Sequence, residues 1–318
     1  MNKLIIFDCD GVAWSVFHAM KGKLSHDGKD TSIIHGFLNH VFSVQNYDKA
    51  DRLVFAWDSK STVRETLFPN YKRKRKLAKK ENKTEQEILV DKDRRRQFSL
   101  LKDSILYELG FRNILYQDGY EGDDIIASVV ESYKRMFNIK IVARDQDLYQ
   151  LIDDNVVMYD HVKGRLVTRK VIKKEYGIEP HQFREVKAIC GCTTDEVPGI
   201  PGIGETKAIQ YITGKLKYTT KTYNSIVSNP EVISFTRKLT TLPIEGTNTF
   251  KIAKDVCLPN RLKKVARVYG LKSFVTDIRL DEFRRNFCGE IIQSAGVEKT
   301  AVQAQGGMGK FSDNSTEF

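Results

Sequence analysis

The chain has 318 residues, 41% of them hydrophobic and 29% charged, which is the balance of a globular protein with an apolar core. It contains no apolar run of the roughly 18 residues that a transmembrane helix needs, which excludes a membrane-spanning protein. With 52 basic and 41 acidic residues the net charge is +11, which favours a polyanionic partner such as nucleic acid over a membrane surface. The five cysteines form no regular framework, so we expect a reducing compartment and a cytoplasmic location.

Strands and helices are predicted to alternate in the first half of the chain. Short apolar runs predict strands at residues 4–7, 53–57, 114–116 and 139–143. Apolar periodicity predicts helices at residues 12–20, 32–44, 98–109 and 121–133, and another from residue 148. This alternation is typical of a parallel α/β sheet with helices on both faces. From residue 171 helices dominate, and residues 297–318, rich in Gln, Gly, Ser and Thr, are predicted to be disordered.

The charged stretch at residues 72–97 interrupts this pattern. Between Lys72 and Lys83 it carries eight basic residues and a single acid, Glu81, and it contains neither glycine nor proline. A run of this kind is usually the solvated face of a helix. We interpret it as one or two exposed helices or as a mobile arch.

Acidic residues follow the predicted strands directly. Asp8, Asp58 and the pair Asp145 and Asp147 each come after an apolar run, and the helix at residues 121–133 opens with further acids. A single Asp in such a place is most often a turn residue or a helix N-cap. Because parallel strands bring their carboxyl ends to one edge of the sheet, several segments sharing the pattern favour a common metal site.

A glycine-rich segment, residues 198–204, precedes a predicted helix that opens at Glu205. Glycines let backbone N–H groups approach a phosphate, and a helix N-terminus adds positive potential there. The alternative is an ordinary turn between two helices.

Taken together, these motifs resemble the 5′-nuclease family of flap endonucleases and 5′–3′ exonucleases, which includes phage enzymes and the nuclease domain of bacterial DNA polymerase I. The resemblance covers roughly residues 3–275. It rests on Phe7-Asp8, Trp57-Asp58, Pro69-Asn70-Tyr71-Lys72, Gly119-Tyr120-Glu121-Gly122-Asp123-Asp124, Asp145-Gln146-Asp147, Tyr176-Gly177-Ile178 and Pro198-Gly199-Ile200-Pro201-Gly202-Ile203-Gly204.

The resemblance implies a PIN-like α/β fold, with a parallel sheet flanked by helices. Residues 1–175 would form the catalytic domain, with a helical arch at about 72–97. Residues 176–290 would form a helical subdomain containing a helix–three-turn–helix at about 186–215.

The resemblance also implies the roles of individual residues. A first Mg²⁺ or Mn²⁺ ion would lie at Asp8, Asp58, Glu121 and Asp123, with Asp124 close by, and a second at Asp145, Asp147 and Asp195. Tyr71 would stack on a base, and Lys72 and Arg75, with Arg64, would contact phosphates. Gly199, Gly202, Gly204 and Lys207 would hold the DNA backbone, with a potassium ion at the helix–three-turn–helix.

Three positions depart from the family pattern. Cys192 stands where an Asp is common, which weakens the second metal site because a thiol is a poor ligand for Mg²⁺. Ser15 replaces an Arg that would contact phosphate. Asp10 is an additional acid, and the family register favours Asp8 as the ligand.

The expected function is Mg²⁺-dependent hydrolysis of phosphodiester bonds at 5′ ends, nicks and flaps of DNA, or in RNA/DNA hybrids, by a monomer acting in replication or repair. One alternative is a structure-specific DNA-binding protein with weakened catalysis. Another is a phosphatase of the haloacid-dehalogenase type, with Asp8 as nucleophile and Asp10 as general acid.

Overall fold

The computed structural model describes residues 2–78 and 84–288, and a six-stranded sheet forms the centre of the described chain. The strands are β1 (Asn2–Asp8), β2 (Ser25–His26), β3 (Lys29–Asp30), β4 (Arg52–Ala56), β5 (Ile114–Leu115), β6 (Phe137–Ala143), β7 (Val156–Asp160) and β8 (Arg165–Val167). The sheet order is β5-β4-β1-β6-β7-β8, and β2 and β3 form a separate hairpin. All pairings in the sheet are parallel except that of β7 with β8.

Fourteen α-helices surround the sheet in the described residues. They are α1 (Cys9–Met20), α2 (Ser32–Asp48), α3 (Thr62–Leu67), α4 (Arg73–Ala78), α5 (Glu85–Leu100), α6 (Leu106–Leu109), α7 (Gly122–Tyr133), α8 (Arg169–Tyr176), α9 (Phe183–Cys190), α10 (Glu205–Ile212), α11 (Lys221–Val227), α12 (Pro230–Thr240), α13 (Pro259–Val268) and α14 (Asp277–Phe287). A π-helical turn, Leu101–Ile105, joins α5 to α6. Short 3₁₀ helices occur at Gln146–Leu151, Pro180–Gln182, Thr193–Asp195 and Lys272–Phe274.

Strand β1 is buried on both faces, which is why its sequence is a continuous apolar run. Ile5 and Phe7 pack into one core with α1, α2, α13 and α14, and Phe7 stacks on Phe55 of β4 at 5.5 Å. Leu4 and Ile6 point to the opposite face, into a second core with α7, α8 and α9. This two-faced burial fixes the register of β1 and therefore the position of Asp8 at its end.

The four predicted strands are present, each within about two residues of its predicted bounds. The prediction of a helix from residue 148 is wrong. A short 3₁₀ helix, Gln146–Leu151, forms at this point, and the chain then continues into β7 and β8. These two strands were not predicted. Strand β7 does contain a continuous apolar run at residues 156–159, in which alternate side chains are buried, so the sequence carried a signal for this strand that was not used.

Two helices, α4 and α5, lie within the charged stretch. Residues 79–83 between them, and the predicted disordered tail at 297–318, lie outside the described residues. Helix α5 is fixed at its base, where Gln97 accepts hydrogen bonds from the backbone N–H groups of Ile33 and Ile34, and Arg94 lies 4.3 Å from the ring of Trp14. None of the helices in the described part of the chain is long and apolar enough to cross a bilayer.

Candidate active site

The three central strands of the sheet bring acidic residues to one edge. Strand β1 lies between β4 and β6, and all three run in the same direction. Asp8 is the last residue of β1, and Asp58 and Asp145 each follow their strand by two residues. The sheet order therefore places the three carboxylates side by side, as the pattern of apolar runs predicts.

Short backbone contacts hold these carboxylates in place. Asp8 Oδ1 accepts a hydrogen bond from the N–H of Gly11 at 2.9 Å, and Asp58 Oδ1 accepts one from Gly122 at 2.7 Å. A β-carbon at Gly11 would lie 2.1 Å from Asp8 Oδ2, so this position needs glycine. The first turns of α1 and α7 thus supply N–H groups to the carboxylates of β1 and β4.

Asp10 belongs to the same cluster, although the family register favours Asp8 over it. Its Oδ2 accepts a hydrogen bond of 2.8 Å from the N–H of Asp58. The spacing in the sequence could have shown that Asp10 joins the cluster, because it lies two residues after Asp8 and a helix starts at Cys9 between them. We call Asp8, Asp10, Asp58, Asp123 and Asp145 the strand-end group.

The electrostatics of the strand-end group favour a bound cation. Burial and the neighbouring charge of Asp58 raise the pKa of Asp8 to about 7 and that of Asp10 to about 8. Burial and the charges of Asp145 and Asp8 raise the pKa of Asp123. Asp58 and Asp145 are surrounded by protein on most sides yet reach solvent, so an ion has access to them. Clustered carboxylates of this kind are stabilised as anions by a metal ion.

A second set of residues is already neutralised by ion pairs. Arg64 and Asp124 form a bidentate pair, with Arg64 Nη2 2.8 Å from Asp124 Oδ1, and both side chains are buried. Arg64 Nε also donates to the carbonyl of Leu239, and Asp124 accepts from the backbone of Ile244. Arg64 is thus enclosed by protein, and both oxygens of Asp124 accept hydrogen bonds from protein groups. The roles that the resemblance implies for these two residues stay predictions.

Glu121 and Tyr71 join this buried set. Glu121 accepts hydrogen bonds from Ser61, Lys72 and Tyr71, the last at 2.8 Å. Burial opposes ionisation of Glu121, but the charges of Lys72 and Arg64 outweigh it and lower its pKa to about 2. Tyr71 is 3% exposed and packs against Val197 and Leu239, so its ring is enclosed by protein in this structure, and its stacking on a base stays a prediction. We call Arg64, Tyr71, Lys72, Glu121 and Asp124 the arch-base group.

Lys72 and Arg75 differ in how far they reach solvent. The Lys72 side chain is 22% exposed, and its backbone N–H donates to the carbonyl of Asp195 at 3.0 Å. Lys72 has a left-handed backbone with φ of 53°, which turns the chain from the Tyr71 pocket into α4. The Arg75 guanidinium is 60% exposed and lies 3.1 Å from Asp195 Oδ1. Arg75 is thus the more accessible of the two cations.

A third cluster lies beside the strand-end group. Asp147, Cys192 and Asp195 each offer a ligand atom, and these atoms all lie within 4.8 Å of one another. We call them the mixed-donor group. Lys187, which sequence reasoning missed, lies 2.7 Å from Asp147 Oδ1. Its position three residues before Cys190 on α9 gave no signal, because Asp147 is forty residues away in the chain.

The loop between α9 and α10 includes the glycine-rich segment. Gly199 packs against the backbone of Cys190, where a β-carbon would lie 2.2 Å from the Cys190 carbonyl oxygen. This close packing requires a glycine, and the predicted phosphate contact of Gly199 stays a prediction. Gly202 and Gly204 are exposed with open space around them, and Gly204 is the N-cap of α10. Lys207 is exposed and donates to the carbonyl of Gly202 at 3.1 Å.

This fold, a parallel sheet with carboxylates at the carboxyl ends of its central strands, is a PIN-like α/β fold. Residues 3–177 match the family model of the 5′–3′ exonuclease N-terminal, resolvase-like domain. Since this span is more than half of the chain, the protein belongs to the 5′–3′ exonuclease family and is a nuclease. The phosphatase alternative for Asp8 and Asp10 has no support from this match.

Curated relatives carry the same description. The 5′–3′ exonuclease of Bacillus subtilis is 30% identical over 220 residues, which are 66% of this chain and 70% of that protein. The 5′–3′ exonuclease of Aquifex aeolicus is 29% identical over 214 residues, or 67% and 69% of the two chains. The thermostable DNA polymerase I of Thermus aquaticus is 29% identical over 209 residues, but these are only 23% of the polymerase.

Solved structures share the fold over most of the chain. Zinc-bound 5′-exonuclease of bacteriophage T5 has a TM-score of 0.65 at 18% identity, covering 90% of this chain and 98% of that one. The catalytic core of Rad2 in complex with DNA has a TM-score of 0.55 at 15% identity, covering 88% and 92%. At such identities the similarity establishes the fold.

Proposed function

We propose that the strand-end group binds Mg²⁺ or Mn²⁺ and that the protein hydrolyses phosphodiester bonds at 5′ ends and flaps of DNA. The observation that carries this proposal is that the negative charge of the group is not neutralised by protein side chains. Its five carboxylates meet at one edge of the sheet, and none forms an ion pair with another side chain in the described part of the chain. Carboxylate oxygens are the ligands that these hard ions prefer.

In this proposal the protein side chains hold the ion and the phosphate. Asp8, Asp58 and Asp123 would bind the metal, which when bound activates water and polarises the phosphate. Lys72 holds Glu121 beside this group, and Arg75 is exposed enough to reach a phosphate oxygen. We propose that the charged stretch at 72–97 is the arch. The exposed cations that the structure describes there, Arg73, Lys74, Arg75, Lys92 and Arg95, would attract a single-stranded 5′ end without reading its sequence.

We propose that the helical part, residues 176–290, binds the duplex. The N-terminus of α10, where Gly204 is the N-cap, carries backbone N–H groups that have no partner within the helix, which suits a phosphate. Lys207 lies on the same exposed turn. A DNA complex of the bacteriophage T5 flap endonuclease shares this fold, with a TM-score of 0.64 at 18% identity. Contacts to the backbone would make the protein select DNA structure over base sequence.

We extend the proposal to a potassium ion, to RNA/DNA hybrids and to a monomeric state. A potassium ion at the helix–three-turn–helix would compete with Lys207, which already occupies the carbonyl of Gly202. RNA/DNA hybrids would be accepted if recognition depends on backbone shape alone. The described residues form a folded unit with two large hydrophobic cores and a small third cluster, which is compatible with a monomer.

The experiment compares the wild type with Asp123→Asn on a 5′-labelled flap and a nicked duplex, across a Mg²⁺ titration. We expect short 5′ products from the wild type, none in EDTA, and none from the variant although it still binds the flap. Binding without cleavage by the wild type would identify a DNA-binding protein instead. Equal cleavage by the wild type and by Asp123→Asn would contradict the proposal that the strand-end group takes part in the reaction.

A further inference from the structure

Strand β5, which lies next to β4 at the edge of the sheet, is followed by an aromatic residue instead of an acid. Leu115 of β5 pairs with Ala56 of β4, and the two strands are parallel. Tyr116 therefore lies at the level of Trp57, one residue before Asp58. Tyr116 is 47% exposed, so its ring borders the strand-end group and reaches solvent.

A lysine lies over this ring. The Nζ of Lys102 is 3.9 Å from the centre of the Tyr116 ring and 3.4 Å from the carbonyl oxygen of Asp58. Lys102 belongs to the π-helical turn between α5 and α6, and such turns are frequent at functional sites. An ammonium has three N–H donors, and in the described part of the chain that of Lys102 forms no ion pair. It can therefore donate to a phosphate oxygen that approaches the strand-end group.

A second lysine–tyrosine pair lies at the opposite edge of the sheet and differs in charge. The Nζ of Lys140 is 5.6 Å from the centre of the Tyr47 ring and forms an ion pair with Asp48. Because α2 ends at Asp48 and β4 begins at Arg52, this pair lies at the amino ends of the strands. The charge of Lys140 is thus neutralised by a carboxylate, whereas that of Lys102 is not.

An exposed aromatic ring beside an unpaired cation suits a nucleotide. Bases stack on aromatic rings with little dependence on sequence, and a lysine binds phosphate as a point charge. We propose that Tyr116 and Lys102 form a nucleotide subsite, which we call the β5 subsite. Tyr116 stacks on a base of the cleaved strand with the ring face that Lys102 leaves open, and Lys102 binds a neighbouring phosphate. This inference rests on the proposed function, because it places the cleaved strand at the strand-end group.

The test couples a change in the protein to a change in the DNA. Flap substrates carry one abasic nucleotide at successive positions on both sides of the cleavage site, and their Kd is measured with Ca²⁺ in place of Mg²⁺, with the DNA verified to stay intact. Tyr116→Ala should weaken binding of the unmodified flap roughly 5- to 100-fold. At one position the abasic nucleotide should weaken binding to the wild type by a similar factor. It should hardly affect Tyr116→Ala, because the stacking contact is already lost there.

Further variants separate stacking from charge. Tyr116→Phe keeps the ring and should bind the flap like the wild type. Lys102→Met should reduce the salt slope of binding by about 1, whereas Tyr116→Ala should leave this slope unchanged. Tyr47→Ala is the matched control, because it removes the ring of the other pair, which is 86% exposed, and it should change neither the Kd nor the salt slope.

Two results would overturn the inference. One is a loss of affinity in Tyr116→Ala that adds to the effect of the abasic nucleotide at every position, and the other is a loss no larger than that of Tyr47→Ala. Flap cleavage in Mg²⁺ by the wild type, measured on the same preparations, separates this inference from the proposed function. Cleavage without any coupled position contradicts the β5 subsite alone, whereas a coupled position without cleavage contradicts the proposed hydrolysis alone.

Discussion

Asp123 and Asp124 are neighbours in the first turn of α7, yet the fold treats them in opposite ways. Asp124 is fully buried and neutralised by Arg64, while Asp123 faces Asp8 and Asp145 and has a raised pKa. Successive residues of a helix point about 100° apart, so one belongs to the arch-base group and the other to the strand-end group. We therefore interpret Asp124 as part of the scaffold and propose Asp123 as a metal ligand.

Removing a partner from the arch-base group should have the largest effect on stability. In Arg64→Met, Asp124 would be left as a buried, unpaired charge, which costs about 3–5 kcal/mol in the free energy of unfolding. We expect the melting temperature to fall by roughly 10 °C. Arg75→Met is the control, since its exposed pair with Asp195 contributes less than about 1 kcal/mol. Similar melting temperatures for the two variants would contradict the distinction.

A substitution in the strand-end group should have the opposite effect on stability to one in the arch-base group. Asp58→Asn removes a like charge, so the metal-free variant should melt at or above the wild-type temperature. Its Mg²⁺-dependent flap cleavage should fall roughly 10³-fold, equivalent to about 4 kcal/mol of transition-state stabilisation. Thermal melts in EDTA and single-turnover cleavage would measure both. A destabilised variant with normal cleavage would place Asp58 in the scaffold.

Lys72 connects the two groups, because it holds Glu121 and its charge also acts on Asp58. Lys72→Met should therefore lower single-turnover cleavage by roughly 10²-fold. The Kd for a flap should change little, since one half-buried ammonium contributes little to DNA affinity. Lys207→Met should show the reverse, with weaker binding and a salt slope reduced by about 1. Equal losses of turnover and affinity in Lys72→Met would make Lys72 a phosphate anchor.

The sequence contains enough information for Asp8, Asp58 and Asp145 of the strand-end group but not for the arch-base group. Apolar runs followed by acids predict where Asp8, Asp58 and Asp145 meet, because parallel strands align their ends. The partners in the arch-base group lie far apart in the chain. Arg64 bonds Asp124 sixty residues later and the Leu239 carbonyl 175 residues later. Contacts between residues so far apart leave no pattern in the neighbouring sequence. The sequence around Arg64 therefore does not show whether its side chain is buried or exposed.

The contributions of the two groups to stability should also depend on pH in different ways, although this effect should be smaller than the effects of the substitutions. Burial raises the pKa of Asp8 to about 7 and of Asp10 to about 8, against an ordinary value of 3.8. A raised carboxyl pKa means that the stability contributed by the protonated form is lost as pH rises through the folded-state value. The metal-free chain should therefore lose a few degrees of melting temperature between about pH 5 and about pH 8.5.

Glu121 has the opposite shift, with a pKa lowered to about 2, so its stabilising contribution is lost only as pH falls toward that value. Glu121 stays ionised between about pH 5 and about pH 8.5, so it cannot cause the fall in melting temperature over that range. Asp8→Asn should flatten the slope, and Mg²⁺ should raise the melting temperature more at high pH, because an ion binds the carboxylates once their protons have left. A melting temperature in EDTA that is constant or rises over this range would mean that the strand-end carboxylates do not repel one another.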